Sequence, residues 1–407
     1  MKSLQFDYSV PRYVITKALG RYKPSLYWDS RLSCLRLRDV PEPVLPTQDW
    51  VKIDVKYGGI CGSDLNLISL NDSPATSPYA SFPFTIGHEI VGKVADIGRN
   101  ISGIEIGSRV AIDPVLSCQA RGFTNPCPAC QRGDFSLCNQ KTDGDISPGL
   151  LIGACRDTGG SWGPSLVAHK SQIIPLPDEV DDSNGVLAEP FSCALHAVLR
   201  NPPKDDDTVL VIGAGVIGIG VIAAIRALGI QARILSLVKH PFQAKLAQHY
   251  GADQTIFLTR SKDYIHETAE HLKARVFKPI YGYPVVEGGA SLVFECVGRK
   301  QSMNDALRLT QSGGKVVLLG LASIMDGIDW TSVWLNELEV KGSFAYSTGH
   351  YQGRTMRTLD IAVELMRSGH VDLSPLITHR FPIEQYKEAL QTATKKSNQA
   401  IKVVFEH

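Results

Sequence analysis

The sequence predicts an α/β protein that combines a doubly wound parallel sheet with a separate β-rich domain. In the second half of the chain, short apolar runs alternate about six times with helical stretches, which is the pattern of a parallel sheet covered by helices on both faces. In the first half, over about residues 30–175, short apolar runs are separated by glycine, proline and polar turns. That rhythm is typical of a compact all-β region.

The individual strands follow from these runs. In the β-rich region we predict strands at LRLRDV, WVKIDVKYGG, IVGKVADIG and SRVAIDPV. In the parallel sheet we predict them at VLVI, ARILSL, TIFL, SLVFECVG, GKVVLLG and LEVKGSFAY. The chain then divides into residues 1–191 (first part of the β-rich domain), 192–345 (parallel sheet) and 346–407 (return to the β-rich domain). Residues 9–30 do not follow the strand rhythm, and we interpret them as an extension or insert without an assigned function.

The totals exclude several classes of protein. A formal net charge of +1 over 407 residues gives no general attraction to nucleic acid or to an anionic membrane. No run of 18 or more apolar residues is present, and the first residues lack the apolar core of a signal peptide. We therefore expect a cytoplasmic protein that has no nucleic-acid or membrane partner.

A glycine motif opens the second half. Gly213, Gly215 and Gly218 form G-x-G-x-x-G between a predicted strand and a predicted helix, with Val216 and Ile217 between the glycines. The three glycines allow a tight turn, close approach of the backbone to a pyrophosphate, and close packing of helix on strand. The free N–H groups of the helix start would face the anion. The motif predicts a Rossmann dinucleotide site, and the alternative is a glycine-rich turn without a ligand.

The end of the second strand bears on the choice between NAD and NADP. A carboxylate is expected there to bind the ribose 2′-hydroxyl, but the chain has Lys239 instead. A lysine at this point favours a 2′-phosphate, so we expect NADP rather than NAD. The alternative is that Lys239 is simply solvated. Val297 and Gly320, which follow later strands of the sheet, are assigned to the same cofactor site.

Four of the nine cysteines lie within a loop rich in glycine and proline. Cys127, Cys130 and Cys138 have C-x2-C-x7-C spacing, and Cys118 precedes them by nine residues. In a large cytosolic chain such a cluster is more often metal-binding than disulfide-forming. Four thiolates close the tetrahedral shell of zinc, so a structural zinc is predicted. The alternative is a loop that contains unpaired cysteines.

A second metal site is predicted from residues that lie far apart in the sequence. Cys61 lies in GGICGSDL, His88 and Glu89 lie in IGHEIVG, and Glu189 lies in LAEPFSCALHAV. A thiolate, an imidazole and a carboxylate make a three-ligand zinc site whose fourth position stays open, which is the arrangement that catalysis requires. The spacing alone does not establish the site.

The order of the motifs resembles a known family. GGICGSDL, GHEIVGKV, C-x2-C-x7-C, LAEPFSCALHA and VLVIGAGVIG occur as they do in the zinc-dependent medium-chain dehydrogenase/reductase superfamily, and the chain is most similar to its sorbitol and threonine dehydrogenase-like branch. The resemblance covers about residues 31–407. It implies a β-rich, chaperonin-10-like catalytic domain and a Rossmann domain, and a homodimer or homotetramer.

The resemblance also implies roles for single residues. Cys61, His88 and Glu189 match the catalytic zinc ligands, and Glu89 matches a carboxylate that ligates the metal or lies just behind it. Ser63 matches the hydroxyl that relays the substrate proton, and Asp64 matches a carboxylate near the ligands. Ligation by Glu89 would make the site negative and the zinc a weaker Lewis acid. We therefore expect Glu89 to ligate at most in the resting state.

Two positions depart from the family pattern. The first of the four structural cysteines usually lies three residues before the second, but this chain has Thr124 there, so Cys118 would have to substitute from a longer loop. Many relatives carry a histidine five residues after the first catalytic ligand, where this chain has Asn66. An amide does not accept the proton, so the end of the relay beyond Ser63 is not assigned.

The function implied is that of an NAD(P)-dependent alcohol or polyol dehydrogenase. The substrate hydroxyl would bind zinc as an alkoxide, Ser63 would accept its proton, and hydride would pass to the nicotinamide. The reverse reaction would reduce an aldehyde or ketone. Two alternatives stay open: a zinc-free NADPH-dependent reductase of the same fold, and a dinucleotide-binding protein without turnover.

Overall fold

The computed structural model describes residues 1–258, 263–395 and 398–407. The chain divides into two compact units, residues 1–189 with 359–407 (unit 1) and residues 190–358 (unit 2). Sequence interpretation placed the boundaries at 191/192 and 345/346. The second boundary lies later in the structure because a hairpin over residues 348–357 belongs to unit 2, where the Thr358 N–H donates to the Ser347 carbonyl over 2.8 Å.

Unit 1 begins with the β-rich part of the chain. Its strands are β1 (Lys2–Phe6), β2 (Leu35–Asp39), β3 (Trp50–Gly59), β4 (Phe84–Thr85), β5 (Ile90–Ile97), β6 (Arg109–Ile112), β7 (Ser165–His169) and β8 (Ile173–Pro175). Its helices are α1 (Val10–Gly20), α2 (Gly62–Ile68), α3 (Pro128–Gln131) and α4 (Asp182–Arg200), the last of which continues into unit 2. The segment left unassigned from the sequence, residues 9–30, therefore contains a helix.

Unit 2 alternates strands and helices, as predicted. Its strands are β9 (Thr208–Ile212), β10 (Arg233–Val238), β11 (Gln254–Phe257), β12 (Arg275–Phe277), β13 (Val285–Glu287), β14 (Ala290–Glu295), β15 (Thr310–Leu318), β16 (Glu339–Gly342), β17 (Thr348–Tyr351) and β18 (Arg354–Arg357). Its helices are α5 (Val216–Ala227), α6 (Pro241–His249), α7 (Tyr264–His271), α8 (Lys300–Arg308) and α9 (Thr331–Leu335). The chain returns to unit 1 with α10 (Thr358–Arg367), β19 (Ile377–Pro382), α11 (Tyr386–Thr394) and β20 (Lys402–Glu406).

The sheet of unit 2 has the topology of a doubly wound dinucleotide-binding fold. Six parallel strands follow the order β11-β10-β9-β14-β15-β16. Numbered along the sheet's own strands, this is the order 3-2-1-4-5-6, in which the direction of winding reverses beside the first strand. The fold class predicted from the alternation of apolar runs is thereby confirmed.

The main sheet of unit 1 joins the two ends of the unit. Its order is β19-β20-β3-β5-β6-β8, with β7 also paired to β3, and β1 lies in a smaller sheet between β2 and β4. The antiparallel register places Gly58 opposite Phe405, and the Ile60 N–H donates to the Val403 carbonyl over 2.9 Å. The last strand therefore lies directly beside the segment that leads into Cys61.

Among the helices in the described part of the chain, none combines the length and apolar character that crossing a membrane requires. All nine cysteines lie in the described residues, and none of them forms a disulfide there.

Candidate active site

The structure brings the four loop cysteines together. The sulfur atoms of Cys118, Cys127, Cys130 and Cys138 all lie within 4.8 Å of one another, and all four residues are buried. Cys138 Sγ is 3.6 Å from Cys118 Sγ and 4.0 Å from Cys127 Sγ. Zn–S bonds of about 2.3 Å in a tetrahedron require S···S separations of about 3.8 Å. The four thiols therefore fit a closed zinc site, and Cys118 lies where a fourth ligand would be needed.

Backbone N–H groups support the thiolate form of Cys127, whereas burial raises the pKa of Cys138 to about 11. The Cys127 N–H donates to Cys118 Sγ over 3.3 Å, and the Asn139 N–H donates to Cys127 Sγ over 3.4 Å. Burial opposes the charge on Cys127, but the N–H groups of Asn139 and Cys130 lower its pKa to about 6. The thiolate is the form that binds metal, so the loop favours the ligating form of this residue.

Arg121 explains how a ligand nine residues upstream reaches the cluster. Its side chain is fully buried and donates to the carbonyls of Leu116 (3.2 Å), Asp143 (3.0 Å) and Gly149 (2.6 Å). A buried cation needs such partners, because an unpaired charge would be expensive to desolvate. The guanidinium therefore ties the Cys118 turn to the far side of the loop, a role that the sequence did not reveal.

Cys118→Ser is expected to remove about one zinc per chain, because a tetrahedral site that loses one thiolate binds the metal much more weakly. Elemental mass spectrometry of the purified variant measures this loss directly. Thr124→Ala is the matched control, since it alters the exposed residue at the family's usual position and should leave the zinc content unchanged. Full zinc occupancy in Cys118→Ser would contradict the assignment.

In the predicted catalytic zinc site, the Asp64 carboxylate orients two of the predicted ligands, Cys61 and His88. Asp64 is 4% exposed; its Oδ2 accepts the backbone N–H of Cys61 over 2.8 Å, and its Oδ1 lies 3.4 Å from His88 Nδ1. His88 Nε2 therefore points to the other side, where the Ser63 hydroxyl lies 3.5 Å away. A carboxylate behind an imidazole is the usual partner of a metal-ligating histidine, because it fixes the orientation of the ring.

The charges around His88 favour a cation at this point. Burial opposes protonation, but the Asp64 carboxylate and the Cys61 side chain raise the pKa of His88 well above its usual value. Burial raises the pKa of Glu189 to about 7, an effect that His88 reduces and Glu89 increases. A thiol, an imidazole and a carboxylate in such surroundings match the donor set of a catalytic zinc. The residues present therefore fit the metal that the family implies.

Among the described residues, the four loop cysteines alone bring three or more possible metal-ligating atoms of His, Cys, Asp or Glu within 4.8 Å of one another. Cys61, His88 and Glu189 lie in one unit, and the Cys61 thiol is within hydrogen-bond reach of the His88 ring. The third predicted ligand, Glu189, is buried, and the charge of His88 acts to lower its pKa. The three predicted ligands therefore lie in the same unit, but their ligating atoms do not all lie within 4.8 Å of one another, as the four cysteine sulfurs do.

Glu89 is held by a residue that the sequence did not single out. Lys402 Nζ donates to both carboxylate oxygens of Glu89, over 2.5 and 2.7 Å, and to the Ile60 carbonyl over 3.2 Å. Both side chains are buried. A Cβ on Gly59 would lie 1.8 Å from Glu89 Oε2, so the glycine there makes room for the carboxylate. Because Lys402 already binds both carboxylate oxygens, we expect Glu89 to lie behind the metal rather than to ligate it.

The glycine turn of unit 2 has the shape that a pyrophosphate requires. Gly213 has φ +96°, and a Cβ on Gly218 would lie 1.8 Å from the Gly213 carbonyl oxygen. A Cβ on Gly215 would meet no atom within 4 Å, so the turn is open on the side that faces a ligand. Val216 and Ile217 form the first turn of α5, whose free N–H groups favour an anion.

The other predicted cofactor residues lie at ends of parallel strands. Strand β10 ends at Val238, as the sequence predicts, and the exposed Lys239 follows it directly. Val297 follows β14, and its N–H donates to the buried carboxylate of Glu295 over 2.9 Å. Gly320 follows β15, and a Cβ there would lie 2.1 Å from the Gly298 nitrogen. Glu295, which the sequence did not reveal, thus orders the turn after β14.

Comparison with known proteins agrees with this architecture. The alcohol dehydrogenase GroES-like domain matches residues 47–178, and the zinc-binding dehydrogenase domain matches residues 216–360. L-idonate 5-dehydrogenase of Vitis vinifera is 30% identical over 93% of each chain. Sorbitol dehydrogenase of Arabidopsis thaliana is 29% identical over 93% of this chain and 94% of its own.

A solved structure adds a cofactor to the comparison. The zinc-binding dehydrogenase of Sinorhizobium meliloti 1021, which is bound to NADP, has a TM-score of 0.69 and 25% identity over 92% of this chain and 95% of its own. The predicted resemblance is confirmed by these matches. With 30% identity to a dehydrogenase over nearly its whole length, the chain belongs to the zinc-dependent medium-chain dehydrogenase/reductase family, in which it is an NAD(P)-dependent dehydrogenase of the alcohol and polyol type.

Proposed function

We propose that the chain transfers a hydride between a hydroxyl group of a polyol-like substrate, or the corresponding carbonyl, and NADP. The observation that carries the proposal is the Asp64 carboxylate, which orients both Cys61 and His88. The substrate class is taken from the relatives that are named for L-idonate and sorbitol. Lys239 at the end of β10 supports the choice of NADP.

Cys61, His88 and Glu189 would hold the metal. Zinc, when bound there, supplies a Lewis acid that lowers the pKa of the substrate hydroxyl. The thiolate and the carboxylate bring two negative charges, which balance the charge of the ion. Glu89 adds no third charge because Lys402 neutralises it. The three ligands would leave a fourth position for the substrate.

Ser63 would receive the substrate proton. Its hydroxyl lies 3.5 Å from His88 Nε2, and a serine hydroxyl both accepts and donates a proton. Asn66 does not extend the relay, since its side-chain amide has no basic nitrogen that could accept the proton. We propose that the proton passes from Ser63 to water or to the cofactor ribose.

Ser63→Ala should lower kcat by about 10²–10⁴-fold, the usual contribution of a positioned acid–base group. The affinity for NADP should stay within about twofold of the wild type, because Ser63 lies outside the dinucleotide-binding turn. Steady-state kinetics and cofactor titration separate the two quantities. Ser63→Thr keeps the hydroxyl and should retain most of the activity; equal loss in both variants would indicate a packing role instead.

Lys239→Ala should raise the KM for NADP by about tenfold or more, because a charge-assisted hydrogen bond to a phosphate contributes about 1.5–3 kcal/mol. The KM for NAD should change little, since NAD lacks the 2′-phosphate. Kinetics with both cofactors measure the ratio. The exposed Lys245 on α6 offers the matched control, and a wild-type enzyme that prefers NAD would refute the choice of cofactor.

The proposed activity is tested by a substrate screen in both directions. Polyols, sugar acids and simple alcohols are offered with NADP and NAD, and the carbonyl products are offered with the reduced cofactors. We expect turnover with a polyhydroxylated substrate, and loss of that turnover after zinc is removed with a chelator. Turnover that survives complete removal of zinc would favour the zinc-free reductase.

A further inference from the structure

Helix α1 turns its apolar side chains outward. Val10 and Val14 are each 59% exposed, and Leu19 is 47% exposed. The exposed apolar stripe has the spacing of one helix face and comprises Pro11, Val14, Ile15, Ala18, Leu19 and, just after the helix, Tyr22. A surface helix of a folded domain usually buries such a stripe. In α1 this stripe faces the solvent instead.

Polar contacts fix this orientation. The Thr16 hydroxyl donates to the Leu32 carbonyl over 2.8 Å, and Lys17 Nζ donates to the Leu70 carbonyl and, over 3.1 Å, to Asn71 Oδ1. Gly20 packs against the Tyr27 ring, where a Cβ would lie 2.4 Å from the nearest ring carbon. The inward face is therefore specific, and the apolar face stays free on the surface of unit 1.

The first residues of the sequence, which include this helix, are more basic than the rest of the chain. Residues 1–38 carry eight Lys and Arg against two Asp, a net charge of +6, and the remaining residues carry 34 against 39 Asp and Glu, a net charge of −5. No acidic residue occurs between Tyr8 and Trp28. Arg21 and Lys23 are exposed and lie on either side of Tyr22 in the chain, just after the helix, whereas Arg12 is partly buried and pairs with Asp7 over 3.5 Å.

We propose that α1 docks on an anionic lipid surface, with the apolar stripe among the acyl chains and the flanking basic residues on the headgroups. An outward apolar face with basic flanks is the pattern of helices that lie in the membrane interface. Each Lys or Arg near such a surface adds attraction. From the net charge of the whole chain we expected no membrane partner. That net charge is small because the basic first segment and the acidic remainder cancel each other.

Two observations separate this surface from other uses of an apolar face. Pairing with the same face of a second copy would bring like-charged flanks together, which opposes a symmetric dimer at this point. Residues 1–46 lie outside both domain matches, so neither match assigns a role to the helix.

The test is flotation of the purified full-length protein with vesicles of phosphatidylcholine alone or mixed with phosphatidylserine. We expect binding to the mixed vesicles that falls with added salt, and at least about tenfold weaker binding to phosphatidylcholine alone. Val14→Ser with Leu19→Ser, and Arg21→Glu with Lys23→Glu, should each weaken binding by about tenfold or more. All four positions are on the surface, so folding should be kept.

Matched controls change equally exposed residues elsewhere. Val44→Ser with Ile106→Ser, and Lys204→Glu with Lys278→Glu, should bind vesicles like the wild type. The proposal is overturned if the wild type ignores the anionic vesicles or if the controls lose as much binding as the α1 variants. It is also overturned if Val14→Ser with Leu19→Ser dissociates an oligomer in sedimentation velocity and the wild type binds no vesicles, which would assign the face to a second copy.

Discussion

Cys61→Ser is expected to lower kcat/KM by about three orders of magnitude while cofactor affinity stays within about twofold of the wild type. A catalytic metal contributes several kcal/mol of charge stabilisation, and each 1.36 kcal/mol corresponds to a factor of ten in rate. A serine hydroxyl at this position is a poor zinc ligand. The cofactor turn lies in unit 2 and keeps its geometry. Kinetics, cofactor titration and zinc analysis on one preparation measure all three effects.

Comparison with the loop variant makes the result specific. Cys61→Ser and Cys118→Ser should each lower the zinc content by about one ion, but only the former should abolish turnover at a temperature where both proteins are folded. Cys34→Ala, which alters a buried cysteine of the small sheet region, should keep both zinc and activity. Full activity in Cys61→Ser with a proven substrate would remove zinc from the proposed mechanism.

The parts of the molecule that were predictable are those encoded locally. Most of the six parallel strands of unit 2 were predictable because they contain short apolar runs, and the glycine turn was predictable because each glycine has a backbone reason. The hairpins β12–β13 and β17–β18 were not predicted. Asp64 belongs to the same class, since it lies three residues after Cys61 and bonds to its N–H within one helical turn. In these cases a short window of sequence contains all of the interacting groups.

The parts that were missed depend on distant pairing. Lys402 lies 313 residues from Glu89, and only the register of β20 on β3 brings the two together. Arg121 looked like an ordinary charged residue, because its partners are backbone carbonyls that no sequence pattern marks. The outward face of α1 was hidden for a similar reason: periodicity shows that a stripe exists but not which way it faces.

Lys402→Met should destabilise the folded protein by about 3–5 kcal/mol, the usual cost of removing one partner from a buried ion pair. Methionine keeps the length of the side chain but leaves the Glu89 carboxylate and the Ile60 carbonyl without their donor. Burial alone would lower the pKa of Lys402, but Glu89 and Cys61 raise it, so the native side chain is charged. Urea unfolding of wild type and variant measures the difference.

An exposed ion pair of the same unit is the matched control. Lys387 Nζ lies 2.6 Å from Asp29, with both side chains about half exposed, so Lys387→Met should leave the free energy of unfolding nearly unchanged. Glu89→Gln combined with Lys402→Met removes both charges and should recover most of the loss, because an unpaired buried charge causes it. Equal losses in Lys402→Met and in the double variant would instead show that packing, rather than charge, ties β20 to the segment carrying Cys61.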